Sequence, residues 1–249
     1  MKLTFLGTGG AQQVPVFGCD CAACLLAHQE PARRRTPCSA LIHCDGETLL
    51  LDAGQLHLEQ RFRPGELNHI LLTHYHMDHV QGLFPLRWGI GTPIPVWGPP
   101  DAAGCDDLLK HPGLLAFQPP LQAFQPVQLG PLSVTPLPLN HSKPTFGYLL
   151  AWQQQRIAWL CDTVGLPDAT RDFLRHQPLD HLVLDCSHAP QPAPPRNHND
   201  ITLALAILQD LQPRQGWLCH LSHEVDCWLQ QHALPDGVAA AWDGLVVTA

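Results

Sequence analysis

The residues best suited to chemistry lie in one short stretch, directly after the apolar run Ile70–Leu72. It contains three histidines and one aspartate: His74, His76, Asp78 and His79. A helix would scatter these side chains, because neighbours on one helical face are three or four residues apart. If a strand ends here and a helix follows, His74 and His76 point to the same side and His79 lies on the first helical turn. Imidazole and carboxylate suit zinc, manganese, iron or nickel. Four such groups exceed the needs of one open metal, so the stretch predicts two metal ions sharing a site.

Four further apolar runs of strand length end in a histidine or an aspartate. These runs are Leu132–Leu139 before His141, Arg156–Leu160 before Asp162, His181–Leu184 before Asp185 and His188, and Gly216–Leu218 before His220. Sites in α/β sheets are built at the carboxyl ends of strands. The repeated arrangement therefore predicts that these side chains converge on the first group.

A second cluster of ligand types is the sequence Cys19-x-Cys21-x-x-Cys24. Tight cysteine spacing in a protein with reduced thiols indicates a structural metal, usually zinc, which needs four ligands. Only three are local, so the fourth must come from elsewhere in the chain. We expect the other seven cysteines to be inert, with Cys161 and Cys219 pointing away from the ligands that they precede.

Composition narrows the classes of partner. The 249 residues include 14 Lys and Arg, 22 Asp and Glu and 16 His, which gives a formal charge of −8. This balance argues against a surface that tracks a long polyanion, and the excess of histidine favours metal chemistry. The chain opens with a strand and a glycine turn at Gly7–Gly10, with neither a signal-peptide pattern nor an apolar run that would span a membrane. We therefore expect a cytoplasmic protein without membrane contact.

The remaining pattern predicts alternating strands and helices. Ala40–His43 and Thr48–Leu51 form a hairpin around Asp45-Gly46, which is a favoured two-residue turn. Leu67–Leu72 is the strand before the metal motif, and Met77–Leu86 is one helix after it. Residues 101–126 contain a helix around Cys105–Lys110 and then loop. Helices at Pro167–Arg175 and Asp200–Leu211 follow, the second with Asp200 as its N-cap.

The pattern His-x-His-x-Asp-His is typical of the metallo-β-lactamase superfamily, and the opening strand with its glycine loop is similar to the tRNase Z-like branch. The stretch Leu72–Leu83, followed by Phe84–Trp88, resembles the PhnP family, the phosphodiesterases of the carbon–phosphorus lyase pathway. This resemblance extends nearly end to end. It implies one domain over residues 1–249, of the α/β class, with the αβ/βα four-layer sandwich of that superfamily.

The resemblance also implies a role for each site residue. One metal takes His74, His76 and His141, the other takes Asp78, His79 and His220, and Asp162 bridges both. Asp52 supports the metal loop by hydrogen bonding. A structural zinc takes Cys19, Cys21, Cys24 and His223. The resemblance makes His198 the general acid. From the chemistry of the residues themselves, Asp78 can also orient the attacking hydroxide, and Lys143, two residues past His141, and Arg196 are candidate phosphate contacts. Asp185 and His188 have no ligand position and are expected behind the ligands or in the core.

By the same resemblance, the catalytic metals are two divalent ions, with manganese first among manganese, zinc, nickel and iron. The implied reaction is hydrolysis of 5-phospho-α-D-ribosyl 1,2-cyclic phosphate to ribose 1,5-bisphosphate in phosphonate catabolism. The implied partner is a small anionic sugar phosphate, not nucleic acid, and relatives in the superfamily often form homodimers. Three alternatives stay open: a tRNA 3′-processing endonuclease, although no basic arm is present, a thioester or lactone hydrolase, and a non-catalytic metal-binding protein.

Overall fold

The computed structural model describes all 249 residues and contains two seven-stranded sheets. The first sheet has the spatial order β14 (Val246–Thr248), β1 (Lys2–Gly7), β2 (Ser39–Cys44), β3 (Glu47–Leu51), β4 (His69–Leu71), β5 (Ile94–Trp97) and β6 (Leu115–Phe117). The second has the order β13 (Val238–Ala240), β12 (Gln215–Cys219), β11 (His181–Asp185), β10 (Gln155–Leu160), β9 (Phe146–Trp152), β8 (Leu132–Pro138) and β7 (Val127–Leu129).

Eight α-helices and one short 3₁₀ helix, Pro31–Arg33, accompany the sheets. The α-helices are α1 (Ala22–Gln29), α2 (Leu58–Arg61), α3 (Met77–Val80), α4 (Leu83–Leu86), α5 (Asp106–Lys110), α6 (Asp168–Arg175), α7 (Ile201–Leu211) and α8 (His223–Leu229). Asp200 caps α7 as predicted, since its carboxylate accepts a hydrogen bond from the Leu203 amide at 2.8 Å. None of these helices is long and apolar enough to cross a membrane.

Three apolar clusters define the layers. The largest lies between the two sheets and contains Phe5 and Trp159, whose ring centroids are 5.9 Å apart. Cys161 and Cys219 belong to this cluster, on the side away from the residues that follow them. A second cluster packs the outer face of the second sheet against α6 and α7. The third packs the first sheet against α2 and α4. The predicted four-layer sandwich of helices, two sheets and helices is therefore confirmed.

Strand direction brings the chemical residues to one edge of the sandwich. Strands β10, β11 and β12 are parallel, and β8 runs in the same direction because it is separated from β10 by the antiparallel β9. Their carboxyl ends therefore lie together. The carboxyl end of β4 in the first sheet faces them, so one edge collects residues that are far apart in the chain.

Two local predictions need correction. The predicted helix Met77–Leu86 is two short helices, α3 and α4, because the Gly82 amide donates to the Ala53 carbonyl at 2.8 Å instead of continuing the helical ladder. A Cβ atom on Gly82 would lie 2.0 Å from the Gln55 carbonyl oxygen, so only glycine fits this contact. The predicted loop after α5 contains the edge strand β6, which gains its order from pairing with β5. The hairpin around Asp45-Gly46 is confirmed.

Candidate active site

Asp52 follows β3, is fully buried and anchors the loop after β4. The carboxylate of Asp52 accepts hydrogen bonds from the backbone amide and the hydroxyl of Thr73, each at 2.8 Å. It also lies 2.8 Å from Nδ1 of His79. This contact turns Nε2 of His79 toward the site. Close backbone packing is needed as well, since a Cβ atom on Gly54 would lie 1.8 Å from the carbonyl oxygen of Asp78.

The first ligand group consists of His74, His76 and His141. Nδ1 of His76 lies 2.9 Å from Nε2 of His74 and 3.0 Å from Nε2 of His141, so three ring nitrogens converge. The outer nitrogens of two of these rings are held by neighbours. Nδ1 of His74 is 3.0 Å from the Thr73 hydroxyl, and Nδ1 of His141 is 3.1 Å from the Asn197 carbonyl oxygen. Such partners fix the ring orientation that metal ligation needs.

The second group consists of Asp78, His79 and His220, with Asp162 between the two groups. Oδ2 of Asp162 lies 3.4 Å from Nε2 of His79 and 3.3 Å from Nε2 of His220. The same oxygen is 3.8 Å from Nε2 of both His74 and His141. Asp162 is therefore placed to contact both groups, as a bridging ligand would be.

The electrostatics of the two groups differ. Burial raises the pKa of Asp78 and Asp162, but the adjacent imidazoles outweigh burial and hold both carboxyl pKa values below the usual range. Burial lowers the pKa of His220, but Asp162 and Asp78 raise it to about 9. In the first group, burial lowers the pKa of His74, His76 and His141. The three histidines thus favour the neutral form, which offers a lone pair, beside anionic carboxylates.

These residues fit two divalent metal ions. Three buried atoms of the second group and Asp162 have no hydrogen-bond partner in the protein: Nε2 of His79, Oδ1 of Asp162 and Nε2 of His220. Buried polar atoms are rarely left unpaired, and here the three belong to residues that surround one point. The donor set of imidazole nitrogens and carboxylate oxygens suits zinc, manganese, iron or nickel. The seven residues predicted as ligands are all brought together.

His198 stands beside this centre and is paired with Asp185. Nδ1 of His198 lies 2.8 Å from Oδ2 of Asp185, and its ring stacks on His220 with centroids 4.7 Å apart. Asp185 is fully buried and also accepts hydrogen bonds from the Thr163 amide and the Ser187 hydroxyl. Burial lowers the pKa of His198, but the charge and hydrogen bond of Asp185 outweigh it, so the pKa is raised. The Asp185 carboxylate thus favours the protonated form of the His198 imidazole at the edge of the site.

A cavity of about 460 Å³ opens over the two groups and His198. Its 18 lining residues are Gly10, Ala11, Gln12, Gln13, His76, Met77, Asp78, His141, Ser142, Asp162, Ser187, His188, Asn197, His198, His220, Leu221, Ser222 and Glu224. A Cβ atom on Gly10 would lie 2.7 Å from Cε1 of His220, so glycine lets the N-terminal loop approach the centre. The volume suits a small ligand.

The cysteine cluster forms a separate group at the side of this cavity. Nδ1 of His223, the first residue of α8, lies 3.4 Å from Sγ of Cys19 and 3.3 Å from Sγ of Cys21. With Cys24, the four ligand atoms lie within 4.8 Å of one another. Burial raises the pKa of Cys24 to about 12, and the neighbouring Cys21 and Cys19 add to the effect. A divalent cation would offset that cost, and three sulfurs with one nitrogen match tetrahedral zinc.

The two candidate phosphate contacts are not among the residues that line the cavity. Nζ of Lys143 lies 3.3 Å from Oδ2 of the nearly buried Asp101, so it links the loop after β8 to the loop after β5. Arg196 is exposed, next to the lining residue Asn197. Both therefore flank the cavity without facing it.

The sequence predicts Asp185 behind the ligands or in the core, and the structure agrees, since Asp185 is buried behind His198. Sequence reasoning did not name His198 as its partner, and it missed other groups that orient the ligands. Ser187 was not singled out, yet its hydroxyl lies 2.7 Å from Nδ1 of His220. The available signal was the position of both residues at the carboxyl end of β11, the same position that marked the ligands on neighbouring strands. His188, also expected outside the ligand set, lines the cavity.

Comparisons with known proteins agree with this geometry. The sequence model of one protein family, described as the beta-lactamase superfamily domain, matches residues 47–221. An octanoyltransferase of Porphyromonas gingivalis is 28% identical over 98% of this chain and 51% of its own length. A ribonuclease Z of Methanococcus aeolicus is 27% identical over 60% of this chain and 46% of its own length. The chain thus spans about half the length of these two relatives.

Among solved structures, a crystal structure described as a new diphosphatase from the PhnP family superimposes with a TM-score of 0.80. It is 27% identical and covers 100% of this chain and 97% of its own. The predicted resemblance to the PhnP family is therefore confirmed.

Proposed function

We propose that this chain, which belongs to the beta-lactamase superfamily, is a dinuclear metal-dependent phosphodiesterase that opens small cyclic phosphodiesters. The superfamily match and the PhnP-family structure support a metal-dependent hydrolase. The observation that carries the finer proposal is the Asp185–His198 pair beside the ligand centre. An imidazole that can donate a proton, such as that of His198, is more useful to an enzyme that must protonate a departing alkoxide than to an acyl hydrolase.

The ligand roles follow from the two groups. His74, His76 and His141 would hold one ion, and Asp78, His79 and His220 the other, with Asp162 touching both. When bound, two such ions lower the pKa of a water molecule and neutralise charge on the phosphoryl oxygens. Asp52, Thr73, Ser187 and the Asn197 carbonyl group keep the imidazoles oriented.

His198, held by Asp185, is placed to supply the proton that the leaving group needs. Nδ1 of His198 is engaged by Asp185, and Nε2 has no protein partner, so it is the nitrogen available to the substrate. Asp185 raises the pKa of this ring and so favours its protonated form. His198 can thus contact a phosphoryl or leaving-group oxygen and donate its proton as the ester bond breaks.

The substrate class follows from size and charge. A cavity of about 460 Å³ accommodates a sugar phosphate, and a formal charge of −8 disfavours long polyanions. The resemblance names 5-phospho-α-D-ribosyl 1,2-cyclic phosphate, opened to ribose 1,5-bisphosphate, as the first member of this class to test. The same proposal includes a role for this chain in phosphonate catabolism and a cytoplasmic location. It also includes manganese as the preferred catalytic metal and zinc as a structural metal.

Similarity to ribonuclease Z makes tRNA 3′ processing the second candidate. The test is to remove bound metal, reload manganese, zinc, nickel or iron, and measure kcat/KM for ribosyl cyclic phosphates and for precursor tRNA. We expect efficient opening of the cyclic phosphates and poor cleavage of structured RNA, because each additional phosphate contact needs its own cation. A higher kcat/KM for precursor tRNA would transfer the assignment to the second candidate.

A further inference from the structure

His188 is the one histidine of the cavity that is neither in a ligand group nor the proposed proton donor. It lies shortly after β11, and its side chain is half-buried. Its ring centroid is 6.3 Å from that of His198. The backbone of His188 is hydrogen-bonded, but its imidazole forms neither a hydrogen bond nor an ion pair within the protein. A free imidazole therefore lines the cavity beside the group proposed to donate the proton.

Arg196 supplies an unpaired positive charge next to the same cavity. Its side chain is exposed and forms no ion pair in the structure, and the residue that follows it, Asn197, lines the cavity. Lys143, by contrast, is paired with Asp101 at 3.3 Å. Arg196 flanks the cavity, so its guanidinium is available to a ligand group that extends to the cavity mouth.

Backbone contacts fix the segment 196–199 between the ligand centre and His188. The Asn197 carbonyl oxygen lies 3.1 Å from Nδ1 of the ligand His141. The Arg196 carbonyl accepts a hydrogen bond from the His198 amide at 2.7 Å, and the Asn199 carbonyl accepts one from the His188 amide at 3.2 Å. The positions of the His188 and Arg196 backbones relative to the ligand centre are therefore set by hydrogen bonds.

The charges of the cavity favour an anion on this segment rather than on α8. Three of the 18 lining residues carry a carboxylate: Asp78, Asp162 and Glu224. The first two belong to the predicted metal centre, and Glu224, on α8, forms no ion pair. A second anionic group of the substrate would be repelled by Glu224, because like charges that face each other cost affinity. It would find hydrogen-bond donors at His188 and Arg196 instead.

We infer that His188 and Arg196 form an anion-binding subsite for a second phosphate, at the end of the substrate distal to the reacting diester. This inference rests on the proposed phosphodiesterase function and deepens it, because it assigns the residues that select a substrate with a distal phosphate. An imidazole donates one N–H when neutral and two when protonated. A guanidinium donates two parallel hydrogen bonds to phosphate oxygens. His188 contacts the distal phosphate from the cavity lining, and Arg196 contacts it from the cavity mouth.

The test compares two substrates that differ only at the distal position, ribose 1,2-cyclic phosphate 5-phosphate and ribose 1,2-cyclic phosphate. With the metal-loaded protein, we expect kcat/KM to be about tenfold or more higher for the 5-phosphate, because hydrogen bonds between charged groups are strong. His188→Ala and Arg196→Ala should each lower this preference about threefold or more, and the double variant should lose most of it. The ratio of the two substrates cancels any change that affects both equally.

Arg196→Lys keeps the charge and should retain more of the preference than Arg196→Ala. The matched controls are His232→Ala and Arg214→Ala, which remove an exposed imidazole and an exposed guanidinium outside the cavity lining. Both controls should leave the preference as in the unaltered protein.

The outcomes separate this inference from the function on which it rests. Bis(p-nitrophenyl) phosphate has no sugar, so its hydrolysis by the unaltered protein tests phosphodiesterase activity alone. If this diester and both sugars are left intact, the function and the subsite fall together. If the diester is cleaved but the 5-phosphate is not preferred, or the preference survives both alanine substitutions, only the subsite is overturned. A preference lost in Lys143→Ala instead has the same meaning. Arg196→Ala, at an exposed position, supplies the decision if thermal melting shows that the His188 variant is unfolded.

Discussion

Two ligand clusters lie side by side in this molecule, and they differ in ligand chemistry and in enclosure. The centre around Asp162 combines imidazoles with carboxylates, and four of its seven residues are buried: His74, His79, Asp162 and His220. The cluster of Cys19, Cys21, Cys24 and His223 has three sulfurs and one nitrogen, and only Cys24 is buried. A site with four protein ligands is complete, whereas a site that must also take water and substrate keeps positions open.

The two clusters also differ in how many neighbouring groups orient their ligands. In the centre, Asp52, Thr73, Ser187 and Asn197 orient the imidazoles. In the cysteine cluster, one backbone amide, that of Val16, contacts a sulfur at 3.3 Å. Precise orientation is needed where bonds are made and broken, and less where a metal only joins two segments. Under the proposed function, the first cluster carries out the reaction, whereas the second joins the N-terminal loop to α8.

The largest effect is expected for Asp162→Ala. Because Asp162 contacts both ligand groups, its loss should weaken both ions and lower kcat/KM by about a thousandfold or more. Metal analysis should show that the zinc of the cysteine cluster is retained. Asp168→Ala, at the exposed start of α6, is the matched control. Full metal content and activity in Asp162→Ala would remove Asp162 from the centre.

His198→Ala should keep its metals and lose about 10²- to 10⁴-fold in turnover of alkyl phosphodiesters. The loss should be much smaller for nitrophenyl esters, because a good leaving group departs without a proton. The measurement is kcat for both kinds of ester at one metal concentration. Equal losses for both would mean that His198 binds phosphate without donating a proton.

Asp185→Asn should have a smaller effect that depends on pH. The Asp185 carboxylate raises the pKa of His198. A general acid works while protonated, so the rate falls as pH rises through that pKa. Removing the charge lowers the pKa, so we expect the falling limb of the kcat profile to move toward lower pH. Asp172→Asn, which changes an exposed carboxylate, should leave the limb in place. An unmoved limb in Asp185→Asn would show that another group titrates.

Cys21→Ser should have the smallest effect on turnover and a clear effect on stability. We expect one zinc fewer per chain and a Tm lower by roughly 5–10 °C, while the two catalytic ions still bind. Cys227→Ser changes a half-buried cysteine of the same helix α8, outside the cluster, and should retain all metal. Unchanged zinc content in Cys21→Ser would exclude a metal role for the cluster.

The sequence by itself determined the elements and the ligand types. Apolar runs of strand length predicted β8, β10, β11 and β12 to within a few residues, and the hairpin pattern around Asp45-Gly46 predicted β2 and β3. Asp200 marked a helix start. These features are local, because they depend on backbone geometry within a few residues. The motif from His74 to His79 predicted the metal centre for the same reason, since one strand end positions four side chains.

Only the tertiary structure decided which distant side chains meet. It paired Asp185 with His198, turned Lys143 toward Asp101, and split the helix after β4 where the Gly82 amide meets the Ala53 carbonyl. It also brought Gln12, Gln13 and Glu224, from two distant segments, to the lining of one cavity. Each of these contacts joins segments whose relative position depends on how sheets and loops pack. Sequence spacing encodes periodicity along one element, but it does not encode the distance between two elements.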